Sequence, residues 1–346
     1  MRKTAVILFN LGGPDSLSAV RPFLFSLFND PAIITLPQPA RWLLALLIST
    51  LRASKSQAIY KRMGGKSPIL ELTMQQAEAL EKKLAVSAKP GEEYKVFVCM
   101  RHWHPKSDVV VRKVKSYAPD HVLLLPLYPQ FSTTTTGSSF ADWKQACAKN
   151  AFDVPTTGIC CYPSDKSFVA AHVKLIKEAY WKASEHGKPR LLFSAHGLPE
   201  KIIASGDPYQ FQIERSVAAI TQILAIDELD HAISYQSRVG RLEWIGPSTE
   251  SEIAKAGKDK VPLLIVPVSF VSEHSETLVE LDIDYRELAE RAGVPGYYRV
   301  PALGSEPFFI DALTGLCLSR ERDGSIKSSS NDKICPASFG QCLCNT

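Results

Sequence analysis

The sequence lacks the features that mark nucleic-acid-binding and membrane-spanning proteins. It has no lysine and arginine block and no basic stripe interleaved with aromatic residues, although 40 basic residues stand against 36 acidic ones. Nucleic-acid binding is therefore not expected. No apolar stretch approaches the roughly 20 residues that a membrane-spanning helix needs. The most lipophilic stretch, 42–48, fits either a buried core helix or a helix that covers a ligand or rests on a membrane surface.

We also expect no secretory signal in the N-terminal segment. The apolar run after the basic start is only about seven residues long and ends in Gly12-Gly13-Pro14 without a plausible cleavage site. The eight cysteines are then expected in a reducing compartment, where clustered thiols bind metal more often than they form disulfides. We therefore expect a cytoplasmic protein, with peripheral attachment to the inner membrane as an option.

What the sequence does contain is an alternation of short apolar runs, rich in β-branched residues, with longer helical stretches. The apolar runs predict buried strands at 4–11, 94–100, 121–128, 190–195, 231–235 and 262–270. Helical periodicity covers 69–86, 168–185, 211–225 and 273–292. Such alternation is typical of βαβ units and parallel sheets. We predict two similar α/β domains, 1–150 and 151–305, and a C-terminal segment, 306–346, with a helix, a polar tether and a cysteine-rich tail.

Chemically useful residues follow several predicted strands, where open parallel sheets bind their ligands. His196 follows the run 190–195, and its imidazole can accept a proton or bind a metal ion. A structural turn histidine explains its position equally well. Arg238 and Trp244 lie in a loop after another strand, and a guanidinium with an aromatic face suits a flat anionic ligand, among many others.

A group of carboxylates follows the last long apolar run. Ser272 is a good N-cap for the predicted helix. Glu273, Glu276, Glu280 and Asp284 then fall along one helix face. A solvated acidic face is the usual explanation of such a row. The alternative is a path for protons or for a hard divalent cation.

The tail carries three thiols, Cys335, Cys342 and Cys344, within ten residues. This spacing indicates a metal site. A two-iron cluster and a structural zinc ion both take four thiolates, so a fourth ligand must come from elsewhere. The candidates are Cys160, Cys161 and Cys317, whereas Cys99 and Cys147 look more like small buried hydrophobic residues.

Seven motifs, spread over nearly the whole chain, resemble those of ferrochelatases and stand in the same order. They are NLGGP at 10–14, YKRMGGKSPI at 60–69, LYPQ at 127–130, SAHGLP at 194–199, YQSRVG at 235–240, WIGPST at 244–249 and EHSETLVELDIDY at 273–285. The resemblance implies two Rossmann-like domains of the chelatase type, each a parallel sheet flanked by helices, with a porphyrin and Fe²⁺ as substrates. It implies no nucleotide.

The resemblance also assigns roles to residues of this chain. It implies that His196 and Glu276 are catalytic and handle the substrate iron, and that Glu273, Glu280 and Asp284 belong to an iron or proton path. Porphyrin-binding roles fall on Asn10, Leu11, Arg52, Tyr60, Ser67, Arg101, Tyr128, Trp244 and Phe270. The chain departs from relatives at His102, where tyrosine is common, and at Leu11, where some relatives have methionine.

For the tail, the resemblance is to bacterial ferrochelatases that carry a 2Fe-2S cluster. It implies ligation by Cys335, Cys342, Cys344 and one internal cysteine. In animal enzymes the internal ligand follows the Tyr-Pro-Gln motif, but that segment has no cysteine here. This favours Cys160 or Cys161. Adjacent residues of a strand point in opposite directions, so we expect only one of them to reach the cluster, and we take Cys160 first, with Cys161 as the alternative.

The function expected from the resemblance is insertion of Fe²⁺ into protoporphyrin IX, with release of two protons, as the last step of haem biosynthesis. Two alternatives stay open: a ferrochelatase acting on coproporphyrin III, and a non-catalytic carrier of haem or of an iron-sulfur cluster. A cobalt chelatase is disfavoured by the WIGPST motif and the cysteine tail. Peripheral membrane contact and a homodimer remain options that the sequence does not decide.

Overall fold

The computed structural model describes residues 1–238, 240, 242–330 and 332–344, and of residue 186 only the backbone. The chain forms two compact units. Unit 1 comprises Met1–Cys161 and Leu313–Ile334, and unit 2 comprises Tyr162–Ala312 and the chain from Cys335 onward. The segment that sequence analysis sets apart as 306–346 thus contributes to both units, and residues 345 and 346 of it lie outside the described residues.

The secondary structure alternates strands and helices along most of the chain. The strands are β1 (Arg2–Asn10), β2 (Glu92–Met100), β3 (His121–Pro126), β4 (Thr156–Ile159), β5 (Arg190–His196), β6 (His231–Gln236), β7 (Leu263–Pro267), β8 (Tyr297–Arg299) and β9 (Ile326–Lys327). The α-helices are α1 (Val20–Phe28), α2 (Ala40–Lys61), α3 (Ile69–Ser87), α4 (Ser107–Tyr117), α5 (Ser138–Lys149), α6 (Lys166–Ala183), α7 (Glu200–Ala204), α8 (Tyr209–Leu224), α9 (Thr249–Asp259), α10 (Tyr285–Arg291) and α11 (Pro307–Ser319). Two π-helical stretches span Thr133–Gly137 and Glu276–Asp284.

Unit 1 is built on a parallel sheet with the strand order β2-β1-β3-β4-β9. Strand β1, between β2 and β3, is buried from Thr4 to its end because neighbouring strands and helices cover it. Strands of covered parallel sheets are continuously apolar for this reason. Burial of each side chain such as Val6, Ile7 or Leu8 contributes about 1.5–3 kcal/mol to stability.

Unit 2 is built on a second parallel sheet, with the strand order β6-β5-β7-β8. Its register places His196, the last residue of β5, opposite Gln236, the last residue of β6. Helices α9 and α10 pack closely on each other: a Cβ added to Gly257 in α9 would lie 2.1 Å from the carbonyl oxygen of Ala292 at the end of α10. Glycine is therefore required at that crossing.

The prediction of two parallel α/β sheets flanked by helices is confirmed. One predicted boundary is wrong. The helix expected to begin at Glu273, with Ser272 as its N-cap, begins at Glu276 and is π-helical as far as Asp284. Glu276, Glu280 and Asp284 lie on this π-helical stretch, whereas Glu273 precedes it, so the predicted row of four carboxylates is divided.

Helix α2 contains the lipophilic stretch 42–48 and exposes part of it. Trp42 is 44% exposed, and Leu43, Leu47 and Leu51 are more than half exposed. Within the described part of the chain, no helix combines the length and apolar character that crossing a membrane requires.

Candidate active site

His196 ends β5 at the carboxyl edge of the unit 2 sheet. Its Nδ1 atom lies 2.6 Å from the carbonyl oxygen of Gly197. A carbonyl oxygen only accepts hydrogen bonds, so Nδ1 carries the proton and donates it. The lone pair of the neutral ring is therefore on Nε2, which can accept a proton or bind a metal ion.

Glu276 lies beside this nitrogen. Its Oε1 atom is 3.5 Å from Nε2 of His196, and its Oε2 atom is 3.4 Å from Nε2 of His274. Burial raises the pKa of the Glu276 carboxyl, but the charge that His196 carries when protonated, with the hydrogen bond and charge of His274, outweighs burial and lowers this pKa to about 2. A carboxylate anion therefore lies between two histidines.

His274 received no role in the sequence analysis. Its Nδ1 atom lies 3.0 Å from the carbonyl oxygen of Ser272, so its Nε2 also faces the Glu276 carboxylate. Burial lowers the pKa of His274, whereas the hydrogen bond and charge of Glu276 raise it, and the net shift is upward. The available signal was a second histidine two residues before Glu276.

The other predicted path residues lie in different surroundings. Glu273 precedes the π-helix, and its Oε1 accepts hydrogen bonds from Nη1 of Arg299 at 2.9 Å and from the backbone of Ala302 at 2.9 Å. Burial raises the pKa of Glu273, but the charge of Arg299 lowers this pKa by more than burial raises it. The net shift is downward, so the carboxylate is charged. Asp284 is exposed at the end of the π-helix. The path roles of both residues stay predictions.

Glu280, on the π-helical stretch, is fixed by hydrogen bonds from residues at the end of β6. Its carboxylate accepts hydrogen bonds from the Gln236 amide at 3.0 Å, the Ser237 backbone at 2.9 Å and the Ser237 hydroxyl. The hydroxyl of Tyr285 is 3.1 Å from its Oε1. Burial and the nearby charge of Glu276 raise the pKa of Glu280. It is therefore better suited than Glu276 to hold a proton.

The two predicted aromatic pocket residues of unit 2 lie beside the histidines. The Phe270 ring centre is 4.7 Å from that of His274. Trp244 packs against Gly197, where an added Cβ would lie 3.3 Å from the Trp244 ring and 2.9 Å from the carbonyl oxygen of Gln236. Arg238 donates to the backbone oxygen of Trp244 at 3.2 Å. Val239, in the same motif, lies outside the described residues.

In unit 1 the predicted residues lie near the carboxyl ends of β1, β2 and β3. Asn10 closes the turn after β1, because its side chain accepts from the Leu11 backbone at 2.8 Å and donates to Thr73 at 2.9 Å. Ser67 packs on Gly13, where a Cβ would lie 2.6 Å from the serine side chain. These two polar residues therefore shape the edge of the sheet.

Arg101 follows β2 and is largely buried. Its guanidinium is 2.8 Å from Asp30 and 3.6 Å from Asp142, and it donates to the Ser138 hydroxyl at 2.6 Å. Two carboxylates thus balance its charge. Sequence analysis missed Asp30, which is itself 2% exposed. Arg101 lines an open cleft of about 440 Å³ in unit 1.

The remaining predicted residues of unit 1 are partly or fully buried. Tyr60, at the end of α2, packs in an apolar cluster with Val20, Phe23 and Leu24. The Arg52 guanidinium lies 5.9 Å from the centre of the Phe28 ring. Burial raises the pKa of Tyr128, which follows β3. Their binding roles stay predictions.

The thiols of the predicted cluster are largely buried. Cys160 and Cys161 belong to unit 1, and Cys335, Cys342 and Cys344 belong to unit 2. Cys342 and Cys344 have sulfur atoms within 4.8 Å of each other, close enough to share a metal ion. The sulfur of Cys335 accepts a hydrogen bond from the Gln212 amide at 3.1 Å. Cys160 and Cys161 are both fully buried, and their sulfur atoms are 3.6 Å apart.

The closeness of these last two thiols corrects one expectation. The two residues lie just beyond β4 rather than within it, so the alternation of side chains along a strand does not apply to them. Strand alternation therefore does not distinguish the two thiols, and the ligand role of Cys160, with Cys161 as the alternative, stays a prediction.

Comparison with known proteins decides the family. The sequence model of the ferrochelatase family matches residues 3–321. The chain belongs to the ferrochelatase family. It is 50% identical to the ferrochelatase of Pelagibacter ubique over 99% of this chain and 98% of that protein. It is 51% identical to the ferrochelatase of Caulobacter vibrioides over the same shares of the two chains.

Comparison with solved structures concerns the fold of the chain. Bacillus subtilis SirB, solved with Fe³⁺, matches this chain with a TM-score of 0.53 at 14% identity, covering 91% of this chain and 93% of SirB. At that identity the likeness concerns the fold alone. The chain is thus an enzyme of the lyase class, a ferrochelatase that inserts metal into a porphyrin, on a chelatase-like fold.

Proposed function

We propose that this ferrochelatase inserts Fe²⁺ into protoporphyrin IX, forms protohaem and completes haem biosynthesis. The observation that carries the proposal is the pair of His196 Nε2 and Glu276 Oε1, 3.5 Å apart. One is a nitrogen base and the other a charged oxygen, and the two atoms lie side by side. A porphyrin must lose two pyrrole protons to accept a dication, and this pair can serve both needs.

The proposed chemistry balances without a redox step. Fe²⁺ replaces two protons on the porphyrin nitrogens, so the product is neutral at its centre and two protons leave. Nε2 of His196 takes a pyrrole proton, because its Nδ1 proton is held by the Gly197 carbonyl. The Glu276 carboxyl has a pKa of about 2 and is therefore an anion near neutral pH. It stabilises the positive charge of the arriving iron or of the resulting imidazolium.

The choice of protoporphyrin IX over coproporphyrin III is supported by charge. Coproporphyrin III carries two more propionates, which would need two more cationic partners. The Arg101 guanidinium is already balanced by Asp30 and Asp142. This leaves less positive charge at the edge of unit 1 and favours the porphyrin with two propionates.

The test is anaerobic insertion of Fe²⁺ into each porphyrin, followed by the loss of porphyrin fluorescence. We expect faster turnover with protoporphyrin IX, and a preference for coproporphyrin III would overturn the substrate assignment. His196→Ala should lower kcat by about 10²- to 10⁴-fold, as loss of a positioned base does. His231→Ala, at an exposed histidine of the same unit, is the matched control. Equal rates for the two variants would remove His196 from the mechanism.

We also propose a 2Fe-2S cluster held by Cys335, Cys342, Cys344 and Cys160, with Cys161 as the alternative to Cys160. The donor set fits, because the thiols are mostly buried and Cys335 already accepts an amide hydrogen bond of the kind that stabilises thiolate sulfur. When bound, the cluster supplies four iron–thiolate bonds that fix the cysteine tail. Metal insertion needs no electron from it.

The cluster is tested on anaerobically purified protein. We expect iron and acid-labile sulfide in equal amounts and a reduced-state electron paramagnetic resonance signal, both lost in Cys335→Ser and Cys342→Ser. Cys147→Ser, at a half-buried thiol in α5, should keep them. Zinc in place of iron and sulfide would replace the cluster with a structural zinc site.

We propose, finally, that the cytoplasmic enzyme contacts the inner-membrane surface through α2. Leu43, Leu47 and Leu51 recur every four residues, each more than half exposed, and exposed Lys55 continues the row. Apolar residues with a cation suit an anionic lipid surface. Leu47→Ser should weaken sedimentation with phosphatidylglycerol vesicles, and Val86→Ser, on α3, should not. Loss of self-association in Leu47→Ser, without any change in vesicle binding, would instead assign this face to a homodimer.

A further inference from the structure

The Tyr285 hydroxyl bridges two carboxylates of unit 2. Its oxygen lies 3.1 Å from Oε1 of Glu280 and 3.0 Å from Oε1 of Glu250. A tyrosine hydroxyl has one proton to donate. Both contacts are therefore satisfied only when one carboxyl is protonated and donates to the tyrosine oxygen. The arrangement is that of a three-member relay that holds two protons, one on the tyrosine hydroxyl and one on a carboxyl.

The three groups differ in their access to water. Glu280 is partly buried and fixed by Gln236 and Ser237, and Tyr285 is 5% exposed. Glu250 is exposed in the first turn of α9, where the helix dipole favours a carboxylate. The three hydrogen-bonded groups therefore lead from the neighbourhood of Glu276 to the surface.

We propose that Tyr285 relays protons released by metal insertion from Glu280 to Glu250 and so to solvent. The O–H bond of the Glu280 carboxyl breaks as a new bond forms to the tyrosine oxygen. The original O–H bond of Tyr285 breaks as its proton joins Glu250, which then releases a proton to water. One proton moves outward for each cycle, and no electron is transferred.

This route rests on the proposed chemistry at His196 and Glu276 and extends it. It differs from a path along the predicted acidic row, because it leaves the π-helix at Glu280 and crosses to α9 instead of continuing to Asp284. Tyr285 does not touch the porphyrin in this proposal. It acts through Glu280.

Tyr285→Phe is the decisive variant, because it removes the hydroxyl and keeps the ring. We expect kcat to fall about 100-fold, the lower end of what a positioned proton-transfer group contributes. The KM for porphyrin and the thermal midpoint should not change, and imidazole buffer should restore part of kcat by carrying the proton. Glu250→Gln should show the same pattern more weakly, because water reaches its end of the relay.

Tyr297→Phe is the matched control. Its buried hydroxyl donates at 2.7 Å to the Leu281 carbonyl, in the same π-helical stretch, so the variant loses a comparable hydrogen bond without touching the relay. It should keep kcat. A Tyr285→Phe enzyme that loses activity together with its thermal midpoint, or that buffer does not rescue, would make the hydroxyl a structural contact only.

The assay uses whichever of the two porphyrins the wild type metallates. A wild type that prefers coproporphyrin III overturns the proposed substrate and leaves the relay measurable. A wild type that turns over while Tyr285→Phe matches it in kcat overturns the relay alone.

Discussion

The Arg299 guanidinium holds the Asp282 carboxylate through two hydrogen bonds of 2.7 Å each. The same guanidinium donates to Glu273 at 2.9 Å, so it joins the loop before the π-helix to the π-helix itself. Arg299 ends β8 and is largely buried. Glu276 lies on this π-helix, so its position depends on the Arg299 cation at the end of β8.

Arg299→Gln is expected to destabilise unit 2. Removal of one partner from a buried ion pair costs about 3–5 kcal/mol, and the lower figure is expected here because Asp282 and Glu273 are only partly buried. Urea unfolding should show this loss. Arg291→Gln, in an exposed pair with Glu287 at 3.9 Å, should cost at most about 1 kcal/mol. Equal losses in the two variants would contradict a special role of the Arg299 network.

Gly197→Ala is expected to impair catalysis while the fold persists. The added Cβ would lie 2.9 Å from the Gln236 carbonyl oxygen, which forces the backbone after His196 to move. A displacement of about 1 Å at a reacting group can cost about 100-fold in rate. Gly315→Ala, in α11 with nothing within 4 Å of its Cβ, should leave the rate unchanged and stabilise slightly. A fully active Gly197→Ala enzyme would show that the turn tolerates the shift.

His274→Ala is expected to lower the rate by about 10- to 100-fold, the usual effect of losing a partner that orients a metal-binding group. The variant removes the imidazole 3.4 Å from Oε2 of Glu276. Because the change concerns the carboxylate that meets iron, the KM for Fe²⁺ should rise more than the KM for porphyrin. A rise confined to the KM for porphyrin would place His274 in substrate packing instead.

The pH dependence of stability should show the buried histidine His172. Burial in α6 lowers the pKa of His172 from 6.5 to about 3. Between these values the unfolded chain binds a proton that the folded chain does not, so stability falls as the pH drops through this window. The slope is up to about 1.4 kcal/mol per pH unit for this one group.

His172→Leu should remove that part of the slope. Urea midpoints at pH 7, 5.5 and 4.5 measure it, with exposed His231→Gln as the control that keeps the wild-type slope. An unchanged slope in His172→Leu would mean that other groups carry the acid sensitivity, such as His121, whose pKa burial lowers to about 4.

The parts of the molecule that follow from local patterns were predictable from the sequence. Runs of buried apolar residues gave β1, β3, β5 and β7 within a few residues, because a strand covered on both faces must be apolar throughout. The rule that ligands meet the carboxyl ends of such strands directed attention to His196, which lies beside Glu276.

What the sequence could not supply depends on contacts between distant residues. The π-helical stretch begins at Glu276, and Glu273 before it is bound by Arg299 of a distant strand, so the cap assigned at Ser272 was wrong. The pairing of Arg101 with Asp30 joins residues that lie 71 positions apart (101 − 30). No local pattern indicates such a pair, and for that reason Asp30 was missed.

The pairing of β9 with β4 has a consequence for how the protein is made. Gly158 and Ile326 are partners in the sheet of unit 1, although nearly all of unit 2 lies between them in the chain. During synthesis, β1 to β4 leave the ribosome long before β9, so the nascent sheet ends in an open edge at β4. Open parallel edges recruit other strands. Until the last strand arrives, β4 is therefore an edge at which the growing polypeptide can pair with the wrong strand.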